Sequence, residues 1–403
     1  VGFGPALRSF RQRPWPWLAA ATALSLAAAW LLKARCVGFA LPRVPKIACY
    51  TDVQALYAQR GLDHHLVPYL QAFNEYPPVT GMAQWLAAAA SWNEKSFFVW
   101  NAVGLAALAF ATSRVLLRHA GPAPRLLVWA LGPPLVLYAF YNWDLIPVLL
   151  VAAALLAVER ERWWLAGGLL GLGASAKWYP AVVAAVLVAS QCRPGRVRQA
   201  VAVAGGAAVA VLATNLPFLL GNPQLFLETY RFHLAREPNP DTLWAVAAHG
   251  ASALGWTGVA GFLTGPLQTL LTLLLAAGLA ALGWRMRQGK LSVLHGAFAA
   301  VVLFVLLNKV LSPQYALWLL PFLALLEVPW PSTALLFATT FLVDVTVRGL
   351  YEGRTGAPLE LAFAKMVPWV VLRHVALAWM LWWCLRGARP APADAQAGRT
   401  AEA

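Results

Sequence analysis

The chain has 403 residues, of which 60% are hydrophobic and only 12% charged. Charge at about half the usual share, with a mean hydropathy of +0.62, excludes an ordinary water-soluble domain. The net charge of +15 sits mostly in short basic clusters between apolar runs. That is how Lys and Arg orient membrane spans, so it is read as a topology signal and no nucleic-acid partner is expected.

The first apolar run, 15–33, follows Arg8, Arg11 and Arg13, and no small-residue cleavage site comes after it. It is expected to be a retained anchor with a cytoplasmic N-terminus. Apolar runs continue at 97–118, 124–142, 144–158, 163–178, 180–192, 199–219, 262–284, 291–308, 314–328, 331–348 and 366–386. Crossing the hydrocarbon takes ~20 residues, so these predict about 12 transmembrane helices. The fold class expected is an all-α polytopic membrane protein. One membrane domain would cover 1–386, with an outer loop at 34–96 and a disordered, Ala- and Pro-rich cytoplasmic tail at 387–403.

Starting inside, all but one of the cytoplasmic linkers carry basic clusters, such as Arg114/Arg118/Arg125 and Arg193/Arg196/Arg198. Counting 79–92 as a span would reverse every later loop. It is therefore read as an amphipathic helix in the outer interface, and 53–61 as a second one. Both termini are expected in the cytoplasm.

With that orientation the unusual polar residues face outward. They are Asp52, His64, His65 and Glu75 in the first outer loop, Asn142-Trp143-Asp144, Lys177-Trp178-Tyr179-Pro180, the 221–261 loop with Arg231, His233, Arg236 and Asp241, and Asn308-Lys309 with Ser312-Pro313-Gln314-Tyr315. Their convergence from separate loops onto one side predicts a single outward-facing pocket. A lipid-linked sugar flippase or small-solute transporter is the alternative class. It would put such residues near mid-bilayer on related halves, and no convincing internal repeat is present.

Together, Cys-Tyr-Thr-Asp52, Glu75-Tyr76-Pro77-Pro78, Asn142-Trp143-Asp144, Ala176-Lys177-Trp178-Tyr179-Pro180 and Lys309-Val310-Leu311-Ser312-Pro313-Gln314-Tyr315 resemble the polyprenol-phosphate-mannose-dependent mannosyltransferases, glycosyltransferase family 87 of the GT-C superfamily. The resemblance covers roughly residues 45–322. It implies a GT-C-type fold with interfacial helices in the first outer loop, in a bacterial plasma membrane. It also implies a polyprenyl monophosphate donor carrying a sugar, mannose by default, with an arabinose or other lipid donor possible. The acceptor would be a lipid or glycan, as in lipoglycan biosynthesis. By position Asp52 matches the catalytic Asp.

One carboxylate suffices as general base for an inverting transfer. For Asp52 the other reading is a cap on a helix starting at Val53, and the same holds for Asp144. Lys177, Lys309, Arg236 and His233 are candidates for the donor phosphate, with interfacial snorkelling as the other reading of the lysines. Glu75, Tyr76, Asp144 and Gln314 are candidates for acceptor binding or support. No Asp-x-Asp motif or Cys/His metal spacing occurs, so neither metal nor cofactor is expected. The glycine-rich 167–173 is read as helix-packing material. A Cys36–Cys49 disulfide and two free thiols both remain open.

Overall fold

The structure, a computed structural model, describes residues 5–40, 50–351 and 359–387. Cys49, and with it the Cys36–Cys49 pairing, lies outside these residues, as does the tail beyond 387. Among the described residues there is no strand, only a lone bridge between Pro68 and Ala72. Helices α1 (Pro5–Gln12) and α2 (Pro14–Ala34) lead into α3 (Asp52–Gln59), α4 (Pro78–Ala89) and α5 (Glu94–Ala120). Next come α6 (Leu127–Leu131), α7 (Pro133–Tyr138), α8 (Leu145–Glu159), α9 (Trp163–Ala174), α10 (Tyr179–Gln191) and α11 (Val197–Gly221). The 222–264 segment holds α12 (Pro223–Ala235), α13 (Leu243–Ala253) and α14 (Thr257–Thr264). The chain closes with α15 (Pro266–Arg287), α16 (Val293–Leu307), α17 (Ala316–Leu325), α18 (Trp330–Tyr351) and α19 (Leu359–Gly387).

Among the described residues, 5 helices are long and apolar enough to cross a membrane: α2, α5, α11, α15 and α19. Helices α8, α9, α10, α16 and α17 are apolar but shorter. At 1.5 Å per residue, a 15-residue helix such as α8 covers only about 22 Å of a hydrocarbon core ~30 Å thick. Among the described residues, then, not every apolar run forms a helix of full spanning length. The short helix α17 is almost wholly buried. Long α11 and α15 instead turn apolar side chains outward, with Val201 63% and Leu273 62% exposed. Apolar surface of that extent on long helices suits a lipid solvent.

The expected span 124–142 is broken. A short 3-10 turn, α6 and α7 replace it, because Gly132 is extended and Pro133 and Pro134 open the next helix. Proline lacks an N–H and clashes with the preceding turn, so it starts a helix readily and cannot continue one. Gly265 similarly separates α14 from α15, so the expected 262–284 span begins late. The two interfacial helices expected at 53–61 and 79–92 correspond to α3 and α4.

The glycines at 167–173 do pack helices. A Cβ on Gly167 would strike the Val203 backbone, one on Gly171 the Ala207 backbone, and one on Gly206 the Trp164 carbonyl. α9 and α11 thus touch backbone to backbone, and any larger residue must push them apart. Gly171→Leu should destabilise the detergent-solubilised protein by about 1–3 kcal/mol. Gly104→Ala, on an open face of α5, should be neutral or up to ~1 kcal/mol stabilising. Unfolding midpoints of the two variants against the parent check both.

Candidate active site

The chain enters α3 through Thr51, not Asp52. The Thr51 side chain accepts the Val53 N–H at 3.2 Å and its hydroxyl donates to the Phe140 carbonyl at 2.8 Å. Thr51 is therefore the cap, and the capping reading of Asp52 is corrected. The Asp52 N–H donates to the Tyr141 carbonyl at 2.8 Å, which pins the residue to the end of the α7 segment. Its carboxylate is half-buried. Oδ2 accepts the Tyr76 hydroxyl at 3.0 Å and a longer contact from Asn142 Nδ2 at 3.5 Å. Among the described residues Oδ1 takes no hydrogen bond.

Tyr76 is held by more contacts than its position needs. Its N–H donates to Asn74 Oδ1 at 2.9 Å, and its carbonyl accepts the buried Tyr69 hydroxyl at 2.6 Å. Asn74 also donates to Gln84 of α4 at 2.6 Å and accepts from Thr229 of α12 at 2.7 Å. Tyr69 sits at φ 66, a strained value for a tyrosine, and a Cβ on Gly81 would overlap its hydroxyl. Strain of this kind persists where surroundings over-determine a residue, often at a functional site. Burial first, then the charges of Asp52 and Glu75, pushes the Tyr76 phenol well above 10, so it stays a proton donor.

On the other face of Tyr76 lies Lys177. Its Nζ is 5.1, 5.5 and 5.8 Å from the ring centroids of Tyr76, Tyr315 and Trp318. It is 2.9 Å from Asp144 Oδ1, which also accepts the Trp318 indole N–H at 2.8 Å. Asp144 is fully buried, and its side chain makes no cap on α8. Two hydrogen bonds dock Lys177 beside Tyr76: Val79 N–H to the Ser175 carbonyl at 2.8 Å and Thr80 hydroxyl to the Ala176 carbonyl at 2.9 Å. Asp52, Tyr76, Asp144 and Lys177 thus form one cluster. Lys177 does not reach solvent in the manner of a snorkelling lysine.

The other predicted residues lie around this cluster with differing commitments. The Glu75 carboxylate pairs with Arg60, and its carbonyl accepts His233 Nε2–H at 2.7 Å. Lys309 Nζ donates to the Leu234 carbonyl at 2.9 Å at the end of α12, near Arg236, whose charge acts on both Lys309 and His233. Gln314 is buried, with Oε1 unpartnered among the described residues. Arg231 faces Glu228 across 3.8 Å on an exposed surface, and exposed His64 lies near Asp63 at 3.7 Å. Sequence reasoning missed Lys33, Trp318 and Arg373, all buried. A charged residue inside an apolar run was the available signal for Lys33 and Arg373. For Trp318, one tryptophan among 20, no signal existed.

Lipid-facing apolar helices around a cluster of carboxylate, phenol and ion-paired lysine are the build of a membrane-embedded enzyme. The sequence model of glycosyltransferase family 87 matches residues 73–313, more than half of the chain, and the chain belongs to that family. It is a glycosyltransferase. A similar curated protein is the polyprenol-phosphate-mannose-dependent alpha-(1-2)-phosphatidylinositol pentamannoside mannosyltransferase of Mycolicibacterium smegmatis. It is 27% identical over 295 residues, spanning 70% of this chain and 67% of that protein.

Removing one partner of a buried ion pair strands the other charge, at about 3–5 kcal/mol. Lys177→Met and Asp144→Leu should each lower stability on that scale, and the double substitution should cost less than their sum. Denaturation of the four proteins as a double-mutant cycle measures the coupling. His233 supplies a pH test. Burial holds its imidazole below the ordinary 6.5, the Glu75 carbonyl opposing and the charges of Arg236 and Lys177 reinforcing. Below pH ~6.5 the unfolded ring then binds more protons than the folded one, so this contribution is present above pH ~6.5 and lost as pH falls from there through the lower folded value. The unfolding midpoint should drop as pH is lowered below ~6.5, and His233→Gln, which keeps a donor, should flatten that slope.

Proposed function

We propose that the protein moves a sugar from a polyprenyl monophosphate to a hydroxyl of a lipid or glycan acceptor on the outer face of the membrane, with inversion and with Asp52 as general base. The observation that carries this is the Asp52 carboxylate itself. Tyr76 and Asn142 fix one oxygen and the other is left open to accept a proton. The mannosyl specificity and lipid-phosphate donor rest on the likeness to the Mycolicibacterium smegmatis transferase. The outer location rests on the distribution of basic linkers.

In this reading the acceptor O–H gives its proton to Asp52 Oδ1 as its oxygen bonds to the anomeric carbon. The bond from that carbon to the phosphate oxygen breaks, and the polyprenyl phosphate leaves with the electron pair. A β-linked donor then gives an α-linked product. Retention would need a second carboxylate free to act as nucleophile, at ~5–5.5 Å from the first in the glycosidase pattern. Asp144 is buried and committed to Lys177 and Trp318, which favours single displacement.

The departing phosphate is dianionic and needs positive charge in a site of low dielectric. The Asp144–Lys177 pair is neutral as a unit, so Lys177 contributes a directed donor more than net charge. Arg236 and Lys309, with no carboxylate partner among the described residues, carry the net positive charge, and His233, whose ring N–H is given to the Glu75 carbonyl, braces that side. Glu75 serves as support, because Arg60 occupies its carboxylate. Gln314, with an open acceptor, suits a sugar or acceptor hydroxyl.

Asp52→Ala should reduce kcat by about 10²–10⁴-fold with donor KM nearly unchanged, the range for loss of a general base. The assay is transfer of labelled mannose from polyprenyl-phosphate mannose to an octyl mannoside by protein in proteoliposomes. Normal turnover in the variant removes the base assignment. Movement of donor across the bilayer by the parent protein without cleavage removes the proposed use of that donor.

A further inference from the structure

Lys33 lies near the end of the apolar helix α2 and is completely buried. A cationic side chain buried within the protein is expensive and requires a purpose or a partner. Its ammonium donates to the Tyr50 carbonyl at 2.9 Å and lies 5.0 Å from the centroid of the Tyr141 ring. The Tyr50 and Tyr141 rings themselves pack at 5.6 Å.

These two tyrosines flank the turn that presents Asp52. Tyr50 precedes Thr51 and Asp52 in the chain. Tyr141 supplies the carbonyl that accepts the Asp52 N–H at 2.8 Å, and it also accepts the Thr51 hydroxyl at 3.2 Å. Lys33 therefore contacts the residue that leads into the turn and the residue that receives it. Nothing in the proposed reaction uses Lys33 directly, and Asp52 has its hydrogen bonds from other groups. The charge of Lys33 also acts on buried Asp344 of α18, together with the charges of Asp241 and Arg373. Arg373 of α19 in turn donates to the carbonyls of Asp241 and Leu311. All of Lys33, Asp52, Asp344 and Arg373 lie outside the residues matched by the family model.

We propose that Lys33 is a positioning residue, which fixes Asp52 by holding the Tyr50 carbonyl and the Tyr141 ring on either side of the turn. The claim rests on Asp52 as the base. Its physical basis is that a small misplacement of a reacting group, of the order of 1 Å, can cost about 10²-fold in rate. A hydrogen bond from a buried ammonium is stiffer than one from a neutral side chain in the same place. The charge acting on Asp344 gives the ammonium a reason to stay buried, so the turn is braced against the helix bundle and not against water.

The test uses the full chain in nanodiscs with Lys33→Met, Lys33→Arg and Asp52→Ala prepared in parallel. Two quantities are read: kcat and KM for polyprenyl-phosphate mannose with octyl mannoside, and amide hydrogen exchange along the chain. Lys33→Met should lower kcat by about 10–100-fold while donor KM stays within about twofold. Exchange over residues 50–59 should speed up at least about tenfold, with α8 and α10 unchanged. Lys33→Arg, which keeps the charge and the donor, should recover most of both losses.

Parent-like exchange over 50–59 in Lys33→Met overturns the proposal, as does loosening spread equally over α8 and α10. Faster local exchange with normal kcat also overturns it when Asp52→Ala is inactive. If Asp52→Ala transfers normally, the base reading falls on its own, and the exchange data still decide whether Lys33 holds this segment. Should Lys33→Met not fold, Tyr141→Leu removes the ring under the ammonium but keeps the carbonyl, and the same changes are expected in smaller degree.

Discussion

The ion pair between Asp144 and Lys177 is the interaction around which the site is arranged. Both charges are buried where water cannot solvate them, and such charges are tolerated only with close partners. That requirement brings the start of α8 to the turn before α10 and draws in Trp318 at the head of α17 as a second donor to Asp144. The aromatic rings around the ammonium complete its desolvated shell. One of those rings belongs to Tyr76, so the same constraint sets the distance between the buried pair and the open carboxylate of Asp52.

Tyr76 consequently has two roles that a single view of either neighbour would miss. Its ring faces a cation and its hydroxyl faces an anion, and its backbone is clamped by Asn74 and Tyr69. The clamp reaches α4 and α12, so three separate parts of the chain set one phenol. Such redundancy supports pre-organisation, in which donors and acceptors are already aimed before the substrate arrives. The cations Arg236 and Lys309 lie on the less buried side, where a charged lipid phosphate could approach without crossing the bundle.

Much of this could be read directly from residues. The apolar runs announced an all-helical membrane protein, and four of the five motifs that carried the family resemblance each supply a member of the cluster, the fifth setting the Tyr315 ring against Lys177. The helix at 79–92 was legible as something other than a span, because counting it as one broke the charge pattern of every later loop. Other features were not legible. The segment 124–142 has the hydropathy of a span, but Gly132 and the two prolines after it break the helix, and hydropathy does not register backbone geometry. A capping role for Asp52 was plausible from residue type, yet Thr51 one place earlier is also a preferred cap, and only the path of the chain chose between them.

Hydropathy, basic linkers and ordered short motifs determined from the sequence alone that the protein is helical, membrane-embedded and built like a family 87 glycosyltransferase. They could do so because solvent preference and local residue spacing are properties of the chain itself. Which charges neutralise each other was decided only by tertiary structure. Lys177 and Asp144 are 33 residues apart, since 177 − 144 = 33, and Lys33 reaches Tyr141 across more than a quarter of the chain. Pairings of that kind depend on how helices pack, and a buried charge takes whatever partner packing delivers to it.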